Sequence, residues 1–573
     1  MIILVLIKTI NTIVLRQYCN HSYILIKNLL TVQTKSVGFA SLILAGSYVA
    51  SAALGLLRDR LLAGNFGAGN ELDVYYAAFT VPDLIALILI FGAISAAIIP
   101  VFTSYIVTSK EEAWHYALVL LNVFLSFLIA VCLVFIIFAP FFVSLIAPGF
   151  SESKKEMTVV LMRIMFLSPI ILGTSNIISG ILQVFHRFLV TALAPVMYNL
   201  GIIIGIVFFT PKLGLAGLAW GVVLGGVMHL LIQIPAFLYS GFRYRPMPGR
   251  SMFDIKHPGV LKTLKLMIPR SLGLGASQFN TIIVTAIAST LAAGSIAVFN
   301  LANNLGSLLV NAISVSLSTA IFPQMSFAYL KEDKRDFEYK FSWALRQILF
   351  LIIPMSILIF ILRAQIVRVI LGTGRFGWLD TRLTAACLGI FAMGLFAQAL
   401  IFILSKAFYA AHNTKIPAWI SFAAVAFNIS ASLLLVRLLN ASGQFFYFMQ
   451  NLLRLDGIAN ISIIGLSLSY SITVILQACL LLYFLYKKYR AFRVKELLHS
   501  FYKILIASLV MAVFALAVRH SLVAYNFVKL QTFFGVFLQL ALSGLVGVFF
   551  YGVTSYFLKS SELNMIKKVF FPK

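Results

Sequence analysis

Apolar stretches of about 20 residues or more recur from about Val37 to about Phe557, and the polar links between them are short. In hydrocarbon, every backbone N–H and C=O must be paired within its own segment or in a closed barrel. Stretches this long exceed a barrel strand and suit helices. Hydrophobic residues make up 61% of the 573 and charged residues only 11%, too little polar surface to cover a water-soluble globule. The chain is therefore expected to be an all-α polytopic membrane protein with about 14 transmembrane helices.

The sequence also repeats itself. Ala97-Ile98-Ile99-Pro100 is answered 223 positions later by Ala320-Ile321-Phe322-Pro323, Ser95 by Ser318, and Phe185 by Phe408. Such self-similarity marks two copies of one unit. The predicted layout has an N-terminal extension over 1–36, either an interfacial segment or a mis-assigned start. A six-helix lobe over 37–240 follows, then a basic connector over 241–263 and a second six-helix lobe over 264–486. Two further helices and a tail occupy 487–573. An even number of spans per copy makes both copies enter the membrane from the same side, so they relate by an axis along the membrane normal and are expected to face one another across a cleft. Asn440–Leu455 reads as an inserted loop, after which the offset drifts to 248 as Ala216-Gly217-Leu218 pairs with Ile464-Gly465-Leu466. Gly201-x-x-x-Gly205 and Gly221-x-x-x-Gly225 place small residues one turn apart, a pattern that brings helix backbones close together.

The net charge of +27 does not point to nucleic acid, because Lys and Arg fall in short blocks between spans and not on one soluble face. With a cytoplasmic N-terminus and alternating spans, roughly 25 basic residues fall inside against roughly 9 outside, as the positive-inside rule requires. Both termini are thus expected in the cytoplasm. Cys19, Cys132, Cys387 and Cys479 are scattered singly, which suggests neither a disulfide framework nor a metal cluster. They read as small buried hydrophobes. Gly64-Asn65-Phe66-Gly67-Ala68-Gly69 lacks the Lys-Ser/Thr end of a phosphate-binding loop. No zinc spacing, nucleophile triad or paired carboxylates stand out. No enzyme activity, cofactor or metal is expected, and a monomer is.

What remains are charges within the bilayer, which cost several kcal/mol each and mark function by default. Asp83 lies about nine residues into its span, roughly 13 Å deep. Arg270 approaches a similar depth from the other side, and the two are candidate partners. The competing reading is that each is satisfied locally by helix ends near Pro82 and Pro269. Arg58, Asp59, Arg60 and Asp73 cluster at the outer end of the first hairpin, where a solvated flank is the ordinary reading, weighing most for Arg60. Pro100 and Pro323 fall at matched places in long spans and are candidate hinges, with plain breaks near helix ends as the alternative.

Gly55-Leu56-Leu57-Arg58-Asp59, Phe66-Gly67-Ala68-Gly69, Asp73, Ala78-Phe79-x-x-Pro82 and Ala93-x-Ser95-x-Ala97-x-x-Pro100 strongly resemble the first hairpin of the bacterial lipid II flippase family (MurJ/MviN). The resemblance continues through Phe185-His186-Arg187-Phe188, Pro195, Asn199, Met267-Ile268-Pro269, Gly374-Arg375-Phe376 and Phe408-Tyr409 with Thr414-Lys415-x-Pro417. It implies a 14-helix member of the multidrug/oligosaccharidyl-lipid/polysaccharide exporter superfamily, whose two lobes enclose a cationic cavity. The implied activity is translocation of an undecaprenyl-diphosphate-linked cell-wall precursor from the inner to the outer leaflet of the bacterial cytoplasmic membrane, with that lipid-linked substrate and membrane lipid as partners. By motif, Arg58 matches a cavity arginine of the family and Asp73 an acidic residue of the same hairpin. Asn304 stands where the family has an arginine, as do Ala52, Ala86 and Leu87. Arg58 and Arg270 are then expected to supply the positive charge for a diphosphate, with Asp83 gating Arg270. Export of another polyprenyl-diphosphate-linked oligosaccharide, or drug or ion antiport on the same scaffold, are the alternatives.

Overall fold

The structure is a computed structural model that describes residues 37–88, 94–244, 248–249, 251–441, 443–458, 460–489 and 494–563. The expected N-terminal extension lies outside them. Every regular element among the described residues is a helix. Eleven of these helices are long and apolar enough to cross a membrane, which is the number reached by that measure in place of the expected fourteen. The helices Val37–Phe66, Asn70–Ala86 and Pro258–Ser289 occupy the remaining expected positions. The inserted segment is not a plain loop. It carries the amphipathic helix Gln444–Leu453, which buries Phe446, Met449 and Leu453 at helical spacing.

The backbone divides into two compact units. One comprises residues up to Gly55, Pro82–Ile137 and Arg163–Leu274; the other comprises Leu56–Val81, Phe138–Met162 and Gly275 onward. In the first, helix Lys110–Ile137 packs with Leu167–Val184, which in turn packs on Leu215–Leu231. The two glycine steps lie directly against each other, Gly201 on Gly225 and Gly205 on Gly221, with no room for a Cβ at either crossing. At one end, Trp114 stacks on Phe185 and meets Phe102, Phe237 and Phe242 edge-on. In the second unit, Trp378–Ala410 is the central helix, packed between Lys334–Leu371 and Ile463–Tyr489. The last two helices, Val494–Ala524 and Phe533–Phe557, pack on Lys334–Leu371 and on each other.

Helix starts follow local chemistry. Asp333 caps Lys334–Leu371 by accepting from the Asp336 N–H, and Thr532 caps Phe533–Phe557 by accepting from Gly535. Of the cysteines, Cys132 and Cys387 are buried as expected, whereas Cys479 is exposed; its helix turns that face outward, which a lipid-solvated helix tolerates in a small apolar residue.

Candidate functional site

The outer end of the first hairpin is where sequence motif and geometry coincide. Helix Val37–Phe66 stops at Gly67, whose φ of +65° only glycine adopts freely. Helix Asn70–Ala86 then starts with Glu71 and Asp73 in its first turn. Asp73 and Arg60 each meet a helix end elsewhere in the second unit, while Asp59 and Glu71 meet side chains there.

Asp73 is 3% exposed. Its carboxylate accepts from the backbone N–H of Gly294 at 2.6 Å and of Ala297 at 2.9 Å. These donors begin helix Ser295–Val310, whose cap residue Gly294 has no side chain to satisfy them. Asp73 therefore caps a helix 221 residues away in sequence, and its charge suits the positive end of the helix dipole. Arg60 does the converse. Its Nη1 donates to the carbonyls of Val369 and Ile370 in the last turn of Lys334–Leu371, and its guanidinium lies 5.2 Å from the centre of the Phe533 ring. The solvated flank considered for Arg60 is thus replaced by a docked helix-end contact. Between them, the Arg375 N–H donates to the Gly64 carbonyl at 2.8 Å, and Asp380 accepts from Ala68 and Gly377.

Asp59, also 3% exposed, is the centre of a second group. Arg58 donates to its Oδ1 from Nε at 3.0 Å and from Nη2 at 2.9 Å, and the Asn304 amide donates to Oδ2 at 3.3 Å. Arg58 and Asn304 are thereby brought together, bridged by a carboxylate that the sequence placed only in a general charge cluster. The signal was present in the adjacent Arg58-Asp59 pair. Tyr75 and Tyr76 on the returning helix lie near this pair, their rings edge to face at 5.4 Å. The Tyr76 hydroxyl is buried with no partner among the described residues.

Asp83 is half-buried on helix Asn70–Ala86. Arg270 lies on helix Pro258–Ser289, and both fall in the first unit. The Arg270 side chain is outside the description, and so is the expected pairing. Pro100 lies inside Ile94–Thr108 and Pro323 inside Ser316–Leu330, and both are exposed. A widened π-turn precedes each, at Leu87–Ile88 in the first copy and at Asn311–Val315 in the second. These are matched irregularities upstream of matched prolines, and sequence alone does not reveal a π-turn.

A model of the lipid II flippase MurJ family matches residues 62–538. The probable lipid II flippase MurJ of Buchnera aphidicola subsp. Schizaphis graminum is 30% identical over 548 residues, covering 93% of this chain and 98% of that protein. The lipid II flippase MurJ of Burkholderia cenocepacia is 29% identical over 384 residues, covering 66% and 74% respectively. Among solved structures, a lipid II flippase MurJ in an inward closed conformation superposes with a TM-score of 0.71 at 24% identity, over 90% of this chain and 100% of that one. An inward-facing multidrug transporter of the MATE family gives 0.55 at 15% identity, over 81% and 99%.

Proposed function

Because the chain belongs to the lipid II flippase MurJ family, we propose that it carries lipid II from the cytoplasmic to the outer leaflet by alternating access. The observation that carries this reading is the family match across residues 62–538, which includes the whole docked hairpin turn from Leu62 through Asp73. Drug or ion antiport draws no support from the flippase names of its relatives. The chain is a multi-pass membrane protein. We place it in the bacterial cytoplasmic membrane with both termini in the cytoplasm, on the strength of the asymmetric Lys and Arg distribution. It acts as a monomer and a transporter, and not as an enzyme.

The substrate is an anionic diphosphate on an apolar tail, so the headgroup needs guanidinium forks while the isoprenoid stays in lipid. Arg58 is one such fork. Asp59 holds it in place through paired hydrogen bonds, and a phosphate competes for that fork when it arrives. Asn304 steadies Asp59 from the other side, and the unpartnered Tyr76 hydroxyl is a further donor. Arg270 supplies the second fork and Asp83 is its gate, an ion pair that a substrate phosphate replaces. Asp73 is the capping residue that holds the hairpin, and Pro100 and Pro323, each downstream of a π-turn, are the hinges. No ATP site is needed, since the membrane potential supplies about 2.3 kcal/mol per charge per 100 mV.

The test is complementation of a flippase-depleted bacterium together with a lipid II translocation assay in proteoliposomes. The wild-type chain restores growth and translocates. Arg270→Ala abolishes both, while Asp83→Asn retains activity within about threefold, because a gate is less costly to lose than a phosphate ligand. Full activity of Arg270→Ala removes Arg270 from the mechanism. Failure of the wild-type chain to translocate lipid II removes the substrate assignment.

A further inference from the structure

A second cationic group lies short of the helix end on which Arg60 docks, where helices Lys334–Leu371 and Val494–Ala524 come to their ends. Arg363 sits eight residues before Leu371 and Arg519 five before Ala524, about 12 Å and 8 Å along their axes from the helix ends. Arg363 Nη1 donates to the Phe360 carbonyl at 2.8 Å, and Arg519 Nη1 donates to the next carbonyl, Ile361, at 2.8 Å. Consecutive carbonyls of one helix turn thus anchor two guanidinium groups from two helices. The stem of Arg363 lies on the bare backbone of Gly389, where a Cβ would stand 2.6 Å from the Arg363 Cδ. Arg519 and Arg454 are close enough to Arg363 for their charges to repel it. Among the described residues, no carboxylate forms an ion pair with any of the three.

Arg363 and Arg519, two half-buried cations that repel each other and lack a carboxylate, call for an anion from outside the chain. The last two helices pack mainly on Lys334–Leu371 and on each other, have no counterpart in the sequence repeat, and leave Ile506, Leu509 and Val513 of Val494–Ala524 exposed. The cluster therefore borders bulk lipid. Its depth is that of lipid phosphates just below a helix end. Phe360, at 40% exposure under the Arg363 guanidinium, offers apolar surface beside it. The geometry points to Arg363 and Arg519 as a binding site for the phosphate of an anionic phospholipid, gripped by the two guanidinium forks, with its acyl chains along Val494–Ala524. The site is independent of the transport reading.

Native mass spectrometry of the full chain, released from mixed micelles of phosphatidylglycerol and phosphatidylcholine, tests it. The wild-type chain retains phosphatidylglycerol over phosphatidylcholine by on the order of 30-fold, the factor expected from two arginines near an anionic headgroup. Arg363→Gln with Arg519→Gln reduces that preference to within about threefold. Gly389→Ala keeps both charges but displaces the Arg363 stem, and it also lowers the preference; it carries the test if the double variant fails to fold. The proposal is overturned by a wild-type chain with no preference, or by variants that keep it. It is equally overturned if undecaprenyl diphosphate, added alone, is held through Arg363 and Arg519 while phosphatidylglycerol is not.

Discussion

Removing the Asp73 carboxylate leaves two N–H donors at the start of Ser295–Val310 buried and unpaired, since Gly294 offers no substitute. Losing a helix cap costs about 1–2 kcal/mol, and stranding a buried donor costs about as much again. Asp73→Ala therefore releases the hairpin locally without unfolding the chain. Hydrogen exchange reads this directly: the amides of Gly294 to Ala297 exchange at least tenfold faster in Asp73→Ala, by the conversion of about 1.4 kcal/mol per decade. Asp73→Asn keeps one oxygen acceptor and shows a smaller change. Unchanged protection in Asp73→Ala would mean that the cap bears no load. The contrast between Asp73 and Arg58 is instructive at this scale. Asp73 is bound entirely to backbone, whereas Arg58 is bound to its neighbour Asp59, a side-chain partner that a phosphate can displace.

Among the elements, the glycine crossing makes the sharpest demand. A Cβ on Gly205 would fall on the Gly221 backbone, which has no way to yield short of separating two helices. Overpacking of this kind costs about 1–3 kcal/mol, so Gly205→Ala lowers the thermal midpoint in detergent by about 1–2 °C. Gly544→Ala, where the added methyl meets open space, leaves it unchanged. A Gly205→Ala midpoint equal to that of Gly544→Ala would place the crossing elsewhere. The two small-residue faces were legible in the sequence, because glycines four apart mark one side of a helix that a neighbouring backbone can approach; that they meet each other is set by the fold. The apolar lengths likewise located the helices. The register of the repeat was only partly legible. Phe185 pairs with Phe408 in sequence, yet the backbone turns that match are at His186 and His412, each with a φ of 55° and each followed by a residue whose N–H reaches back across the turn, Arg187 to Leu182 and Asn413 to Phe408. That correspondence has an offset of 226, three residues from the sequence register; turn geometry is set by backbone, and its one trace in residue identity is the matched pair of histidines, a residue type enriched at positive φ. The docking partners of Asp73 and Arg60 were hidden for the same reason. They are N–H and C=O groups of Gly294, Ala297, Val369 and Ile370, and every residue carries such groups.

For the whole molecule, the question is whether the hairpin turn must leave these helix ends during transport. Asp73, Arg60 and Gly64 each hold the turn to a different segment: Ser295–Val310, the end of Lys334–Leu371 and Arg375. These attachments, with the Ala68 N–H on Asp380 beside them, are each worth about 1 kcal/mol net and hold the turn firmly yet leave it releasable by the differential affinity of a ligand for two states. The pair Glu71 and Arg375, 3.5 Å apart at 48% and 70% side-chain exposure, gives an accessible handle on this attachment. Exposed pairs contribute little stability, so replacing both with cysteine leaves the fold intact. In a chain whose Cys19 and Cys479 are Ser, a short bis-thiosulfonate cross-linker joins Glu71→Cys to Arg375→Cys and fixes the turn in its docked position. Alternating access then predicts that the cross-linked protein still binds lipid II but loses translocation in proteoliposomes, and that a reductant restores it. If translocation continues at full rate with the turn cross-linked, the hairpin is a permanent clasp and the opening that releases lipid II occurs at another place in the fold.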